Sequence, residues 1–383
     1  MEQTLSYVIV TPYTVAKSRT GGVVARLLSR TELELVGAQI IIPNENFIRD
    51  YAASMRDQEK RGLNSAGELF AAYAERSMLP CGNRGDRLLL LLFRGENACR
   101  KLSDICGEIK TSISGQSIRD TYGDFIVDQD DDKKTIHFEP AIITPRLKEL
   151  ADEEMAILAR HFGNTANIVS ESKLEQTLVI IKPDNWYQSS QRPGTIIDMF
   201  SQAGLRIVGT KVSRLSLNQA MEFYGPVEAA LKEKLAPVFG QKAKEILERE
   251  FKLPLNQDTE KALSESFGNE FAREEFCKIV EFMSGRRPES CPAGEEDKPG
   301  LVKCMILLYE GQDAVKKIRQ ILGPTDPLKA PGGTVRREFG SSVMVNTAHA
   351  SDSAESCERE KGIVRMNENS LFSIVGEQIV AAN

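Results

Sequence analysis

GVVARLLSRTELELVGAQ, residues 22–39, and GTIIDMFSQAGLRIVGTK, residues 194–211, carry one pattern twice. Gly22, Ser29, Leu33, Val36 and Gly37 in the first stretch recur as Gly194, Ser201, Leu205, Val208 and Gly209 in the second. Each stretch reads as an amphipathic helix, a turn and a strand. A run of β-type composition precedes each, Tyr7–Val10 and Leu178–Ile181, and stops at a proline, Pro12 or Pro183. Farther along, Phe93-Arg94-Gly95 matches Tyr309-Glu310-Gly311. Ile118-Arg119 and Tyr122-Gly123 match Val335-Arg336 and Phe339-Gly340. Self-similarity of this kind marks a tandem duplication. The copies fall at 1–168 and 169–383, joined through the polar run at 164–173. Strand–helix–strand units in this order predict an α+β fold, with helices over an antiparallel sheet in each copy.

Composition narrows the function classes. The chain has 383 residues, 41% hydrophobic and 27% charged, with a net charge of −6. Two or three domains of ordinary globular type are expected from the length. The longest purely apolar run, Leu88–Phe93, is too short for a membrane and reads as a buried central strand. MEQTLSYVIVTP shows no basic region followed by a long apolar run, so no secretory signal is expected. Seven cysteines without CxxC or Cys/His spacing point to reduced thiols in a cytoplasm. No basic domain exists, which argues against a nucleic-acid partner. No GxxxxGK[ST] or GxGxxG loop occurs, so phosphate chemistry here needs another device.

That device is looked for in GGTVRREFGSSVMVNTAHASDSAESCEREKG, residues 332–362. Arg336, Asn346, His349, Ser351 and Glu360 fall within it, and His349 is one of three histidines in the chain. Asp352 with Glu355 reads as a helix N-cap and its capping-box partner; Arg359 and Lys361 suit the last turn, and Gly362 the stop. A histidine just ahead of a helix N-terminus lies near backbone N–H groups that favour an anion.

The stretch resembles the active-site region of nucleoside diphosphate kinases, whose signature is an Asn, two residues, a His, a small residue and Ser-Asp-Ser. Here it runs from Asn346 through His349 to Ser353, with Ala350 where the family usually has glycine. The resemblance extends upstream. TLVIIKPD places Lys182 on the family's lysine, and Phe223-Tyr224 places Tyr224 on its tyrosine. EGQDAVKKIRQILGPTDP places Arg319 and Thr325, and KAPGGTVRREFG places Arg336, on its phosphate-binding residues. Val343 falls where an apolar residue meets the base, and Asn346 where an amide meets the sugar.

What the resemblance implies is specific. Each copy takes a ferredoxin-like (βαββαβ) fold, and the second is a nucleoside diphosphate kinase. His349 would accept the γ-phosphoryl group of ATP and pass it to a nucleoside diphosphate in a ping-pong cycle. Glu360 and Ser351 would orient the ring, and Arg319, Arg336 and Thr325 would carry charge on the transferring oxygens. No dedicated metal site is implied; Mg²⁺ would arrive with the ATP phosphates. Partners would be nucleoside di- and triphosphates, with neither nucleic acid nor membrane involved. The two copies could form a pseudo-dimer within one chain, and a higher homo-oligomer could form from it. A catalytically weak nucleotide sensor or scaffold on the same fold is the competing expectation, favoured by Ala350 and by Glu275 at the usual base-stacking position.

The copies are not equal. In the first, Thr11, Ser103 and Ile109 stand opposite Lys182, Arg319 and Thr325, whereas Tyr51 and Arg119 match Tyr224 and Arg336. Gln129 and Asp132 fall near the places of Asn346 and His349, with His137 close by in a strand-like run. The acidic cluster 128–132 reads as a solvated hairpin tip that repels a triphosphate. Residues 145–162 read as an amphipathic helix, with His161 at its surface. In the second copy, 42 positions separating Tyr51 from Phe93 become 85 between Tyr224 and Tyr309. Insertions at about 225–272 and 286–300 account for the difference, the later one read as a loop. Between them, Arg273 and Phe276 fit the family's helix at the nucleotide pocket.

Overall fold

A computed structural model describes residues 3–80, 86–109, 115–127, 135–170 and 173–382. The first copy runs β1 (Gln3–Val10), α1 (Pro12–Ala16), α2 (Thr20–Arg30), β2 (Glu34–Ile41), α3 (Glu45–Lys60), α4 (Gly67–Ser77), β3 (Leu88–Glu96), α5 (Ala98–Cys106) and α6 (Ile118–Tyr122). A hairpin of β4 (Asp124–Val127) and β5 (Thr135–Glu139), a short β6 (Ile142–Ile143) and α7 (Lys148–Phe162) complete it. The second runs β7 (Gln176–Ile181), α8 (Arg192–Ser201), β8 (Arg206–Ser213), α9 (Leu217–Phe251), α10 (Gln257–Leu263), α11 (Asn269–Ser284), β9 (Cys304–Glu310) and α12 (Ala314–Leu322). It ends in α13 (Val335–Phe339), β10 (Ala348–Ala350), α14 (Ala354–Ile363) and α15 (Leu371–Ala382).

The sheet orders are β2-β3-β1-β6 and β10-β7-β9-β8, one topology read from opposite edges. Leu88–Phe93 is buried throughout in β3, between β1 and β2, because a strand covered on both faces has no polar side.

Backbone torsions repeat between the copies. Asn97 and Asp313, ahead of α5 and α12, have φ of 53° and 54°. Gly107 and Gly323, which end those helices, have φ of 85° and 82°. Ala141 and Thr347, one residue before β6 and β10, have φ of 61° and 75°. Side chains other than Gly, Asn and Asp resist that region by about 1–2 kcal/mol, so its reuse at Ala141 and Thr347 shows a turn held by its surroundings. In both copies the preceding strand holds it: Thr11 N donates to Ala141 O and Lys182 N to Thr347 O, at 3.0 and 2.9 Å.

This register corrects the alignment of the first copy's end. Val10 pairs with Ile142 and Ile181 with Ala348, so Ile143 is the residue in His349's place. Gln129 and Asp132 lie outside the described residues, and the β4–β5 hairpin accounts for the displacement. His161 is also less superficial than expected. It bonds Asp50 Oδ2 at 2.9 Å and meets Phe47 edge-on.

The chain forms two compact units: residues 1–212, 305–361 and 365–383 make the first, and 213–304 with 362–364 the second. In the first, one cluster of buried side chains runs from Val24 and Leu27 of α2 to Ile197 and Phe200 of α8. The two helices cross in backbone contact. A Cβ on Gly21 would lie 2.4 Å from Asp198 N, and one on Gly194 would lie 2.2 Å from Ala25 N. Gly22, aligned with Gly194 by sequence, instead faces the Tyr122 hydroxyl. Within the polar join Asn167 is buried and donates to Met366 O at 2.9 Å.

The second unit is helical. α9 runs unbroken for 35 residues through Pro226 and Pro237, past the expected insertion start. A π-turn at Ser264–Gly268 links α10 to α11 and meets α9 where glycines allow it; a Cβ on Gly268 would lie 2.6 Å from Ala236 O. The expected loop 286–300 is pinned by Arg286 to Glu295 at 2.8 Å, by the Cys277 thiol to Glu289 at 3.1 Å, and by Leu301 N to Ser284 O at 2.7 Å.

Candidate active site

His349 occupies the middle of β10, opposite Ile180 of β7. Its Nε2 lies 3.0 Å from Glu360 Oε1, and Ser351 Oγ donates to Glu360 Oε2 at 2.7 Å. The Glu360 side chain is 4% exposed and that of His349 22%, so the carboxylate is sealed behind a ring that still reaches solvent. Ser351 is fixed in turn by β7, whose Leu178 N donates to its Oγ at 3.1 Å. With the proton on Nε2 and directed at the carboxylate, the lone pair of the ring sits on Nδ1.

Glu360 is delivered by α14, and here the expected cap shifts by one residue. Ser353 Oγ accepts from Ser356 N at 3.1 Å, and Ser353 O accepts from Cys357 N at 3.0 Å. Asp352 instead bonds the Ser356 hydroxyl, which, with Arg319 and His349 nearby, holds its carboxyl below the usual range. Gly362 lies inside α14; the left-handed residue after the helix is Arg365, with φ of 50°.

Beside β10 stands a buried polar chain. Lys182 Nζ donates to Asn346 Oδ1 at 2.7 Å, and Asn346 Nδ2 donates to Val343 O at 2.7 Å and Thr325 O at 3.2 Å. Burial, and next the Arg336 guanidinium, push the Lys182 ammonium down to about 7, against the opposing pull of Asp184. Arg336 donates from Nη1 to Gly323 O at 3.0 Å and from Nη2 to Ala348 O at 3.1 Å, next to His349. Each of those nitrogens carries a second N–H. Arg319 is on α12, which packs on β10 and β7. Val343 is 58% exposed.

The remaining candidates lie in the helical unit. Tyr224 is buried in α9 with its ring 5.1 Å from that of Phe223. Phe276 is buried in α11, and Glu275 pairs with Lys278 at 2.7 Å. Sequence reasoning missed Asn185. Its Nδ2 donates to Thr347 O at 2.8 Å and Lys182 O at 3.0 Å, clamping the strained turn before His349 to the end of β7. Its place just after Lys182-Pro183-Asp184 was the available signal, since Asn favours such turns.

In the first copy the corresponding positions serve other ends. Thr11 caps α1 and donates to Glu139 Oε1 at 2.8 Å. Tyr51 bonds the Tyr7 hydroxyl at 2.8 Å, and Tyr7 bonds Glu154. Arg119 bonds Gly107 O and Ile142 O, the same pair of carbonyl positions that Arg336 holds. His137 is exposed on β5.

A sequence model described as "Nucleoside diphosphate kinase" matches residues 175–248 and 297–369. The nucleoside diphosphate kinase of Halorhodospira halophila is 31% identical over 187 residues, 49% of this chain and 89% of its own length. That of Bdellovibrio bacteriovorus gives the same identity and coverage. That of Campylobacter fetus subsp. fetus is 32% identical over 187 residues, 92% of its length. This chain belongs to the nucleoside diphosphate kinase family. The family match lies in the second copy and passes over 249–296, within the helical unit. Among the described residues no helix is long and apolar enough to cross a membrane.

Proposed function

We propose that the second copy is an active nucleoside diphosphate kinase working through a phosphohistidine, and that residues 1–168 and 169–383 are its supporting and catalytic copies. The observation that carries this is the Ser351–Glu360–His349 relay, which fixes the ring of the residue that follows Ala348, whose carbonyl Arg336 holds. His349 Nδ1 attacks the γ-phosphorus of ATP. A P–N bond forms as the P–O bond to ADP breaks, and ADP leaves as the diphosphate. A second nucleoside diphosphate then takes the phosphoryl group by the reverse path. Arg319, Arg336 and Thr325 carry the charge on the transferring oxygens, while Lys182 and Asn346 position the sugar side. Glu360 holds the tautomer and stabilises the Nε2 proton as charge develops on the ring.

The site's donors are guanidinium, ammonium, amide and imidazole groups, a set suited to anions. Mg²⁺ would arrive with the nucleotide phosphates and supply charge neutralisation there. Incubation with γ-labelled ATP tests the reading. Acid-labile label on the chain, lost together with turnover in His349→Ala, is expected. Label and turnover retained in that variant would overturn it.

A further inference from the structure

The first copy holds a cavity of about 350 Å³ whose walls include Gln58, Phe70, Ser103, Arg119, Ile143 and Glu154. Ser103, Arg119 and Ile143 stand where the second copy has Arg319, Arg336 and His349. The cavity is thus the counterpart of the candidate active site, without the groups of Arg319 and His349. An open, mainly apolar groove with Leu69 and Phe125 in its wall adjoins it; Ala66, Glu108 and Ile109 line both.

The charge at the inner end is uncompensated. Glu154 is 3% exposed. Its oxygens are met by the Tyr7 hydroxyl and by Gln58 Nε2, the latter at 2.8 Å, and neither brings positive charge. The groups facing it are Tyr7 from β1, Gln58 and Tyr51 from α3 and Glu153 from α7 itself; none of these is a cation. Burial accordingly pushes its carboxyl up to about 7. Two cations, Arg119 and Arg146, also line the cavity. The terminal nitrogens of Arg119 hold Gly107 O and Ile142 O, it lies 5.4 Å over the Phe70 ring, and its Nε is buried without a hydrogen-bond partner. Asp104 and Glu108 add negative charge to the lining. A carboxylate withdrawn from water beside an unfilled volume either takes up a proton or gains a cation.

We propose that this cleft binds a small organic cation, a primary ammonium on the Glu154 carboxylate with an apolar body directed past Phe70 toward Leu69 and Phe125. The proposal is independent of any kinase activity in the second copy.

2-Phenylethylamine is a suitable probe, with 2-phenylethanol as its uncharged isostere, titrated into the full chain by calorimetry. We expect saturable binding at one site, at least about 10-fold tighter for the amine than the alcohol, because a charge-assisted bond replaces a neutral one. Affinity should rise from pH 6 to pH 8 as Glu154 ionises. Glu154→Gln should weaken amine binding about 10-fold and remove the pH dependence. Ser103→Phe, which fills the cavity without touching the carboxylate, should abolish binding, and it decides the matter should Glu154→Gln fail to fold. Equal affinity for amine and alcohol, no saturable binding of the amine, or unchanged binding in Ser103→Phe would each overturn the proposal.

Discussion

Arg119 and Arg336 hold the same two carbonyl positions, yet only Arg336 has a histidine beside it. The duplication therefore separates the two duties of this arginine. The carbonyl bonds fix the turn between a helix end and the following edge strand, and they persist in the first copy where Ser103 and Ile109 stand in place of Arg319 and Thr325. What is peculiar to the second copy is the chain from Ser351 through Glu360 to His349. Glu360→Gln keeps its shape but not its acceptor pair, so the amide competes for either tautomer of the ring. Turnover should fall on the order of 10²-fold, as for a misplaced reacting group, with nucleotide affinity held within a few-fold. Steady-state kinetics with a calorimetric Kd for ADP measure both, and unchanged turnover would remove Glu360 from the relay. Lys182 yields a prediction with a sign. Its ammonium is lowered to about 7, so much of it lacks a proton at pH 8. A bound triphosphate restores the charge, and ATP binding at pH 8 should take up close to one proton per site, less below pH 6. Calorimetry in buffers of different ionisation enthalpy reads this directly; zero uptake at pH 8 would contradict it. Without nucleotide, the unfolded chain holds a proton that the folded chain lacks above pH 7. Lys182 thus makes stability rise with pH from there toward the ordinary lysine value.

Elements show where the sequence could be read and where it could not. Lys182, Asn346 and His349 were legible because short stretches with fixed offsets carry them, and the sheet places β10, with His349 at its middle, beside the end of β7. The counterpart of His349 in the first copy was not. The β4–β5 hairpin lies between α6 and β6, so counting from Gly123 reached Asp132, whereas strand pairing selects Ile143. Helix ends misled for a local reason. Asp352 and Ser353 are both good caps, and only the bond from Ser356 N to Ser353 Oγ decides between them. The length of α9 was hidden by Pro226 and Pro237, which usually signal a break. The cap matters for function because α14 carries Glu360. Ser353→Ala should cost about 1 kcal/mol, the usual value for a lost N-cap. Chemical denaturation would show this as a lower midpoint, and turnover should fall with it as the first turn of α14 frays. A midpoint equal to that of the unaltered chain would return the cap to Asp352.

At the scale of the whole chain, the two sheets share a core and are not merely tethered. α2 and α8 meet at Gly21 and Gly194 with no room for a Cβ, and Ile196, Ile197 and Phe200 are buried in the cluster that includes Val24 and Leu27. The chain's end returns to the first copy: Leu371, Phe372 and Val375 of α15 are buried with Phe162 of α7, and Asn369 Nδ2 donates to Phe162 O at 2.8 Å. Cutting at residue 168 would expose both surfaces. Burial of one large aliphatic or aromatic side chain is worth about 1.5–3 kcal/mol, and a domain's whole stability is about 5–15 kcal/mol. Six such side chains across the two contacts are therefore comparable to everything that keeps one copy folded. Residues 169–383 expressed alone should be insoluble or loosely packed, with little turnover. Co-expression with 1–168 should restore a soluble complex and its activity. Size-exclusion chromatography and a γ-labelling assay on the two preparations decide it. A monodisperse, fully active 169–383 fragment would show that the first copy has some other reason to be there, and the amine cleft would then be the first place to look for it.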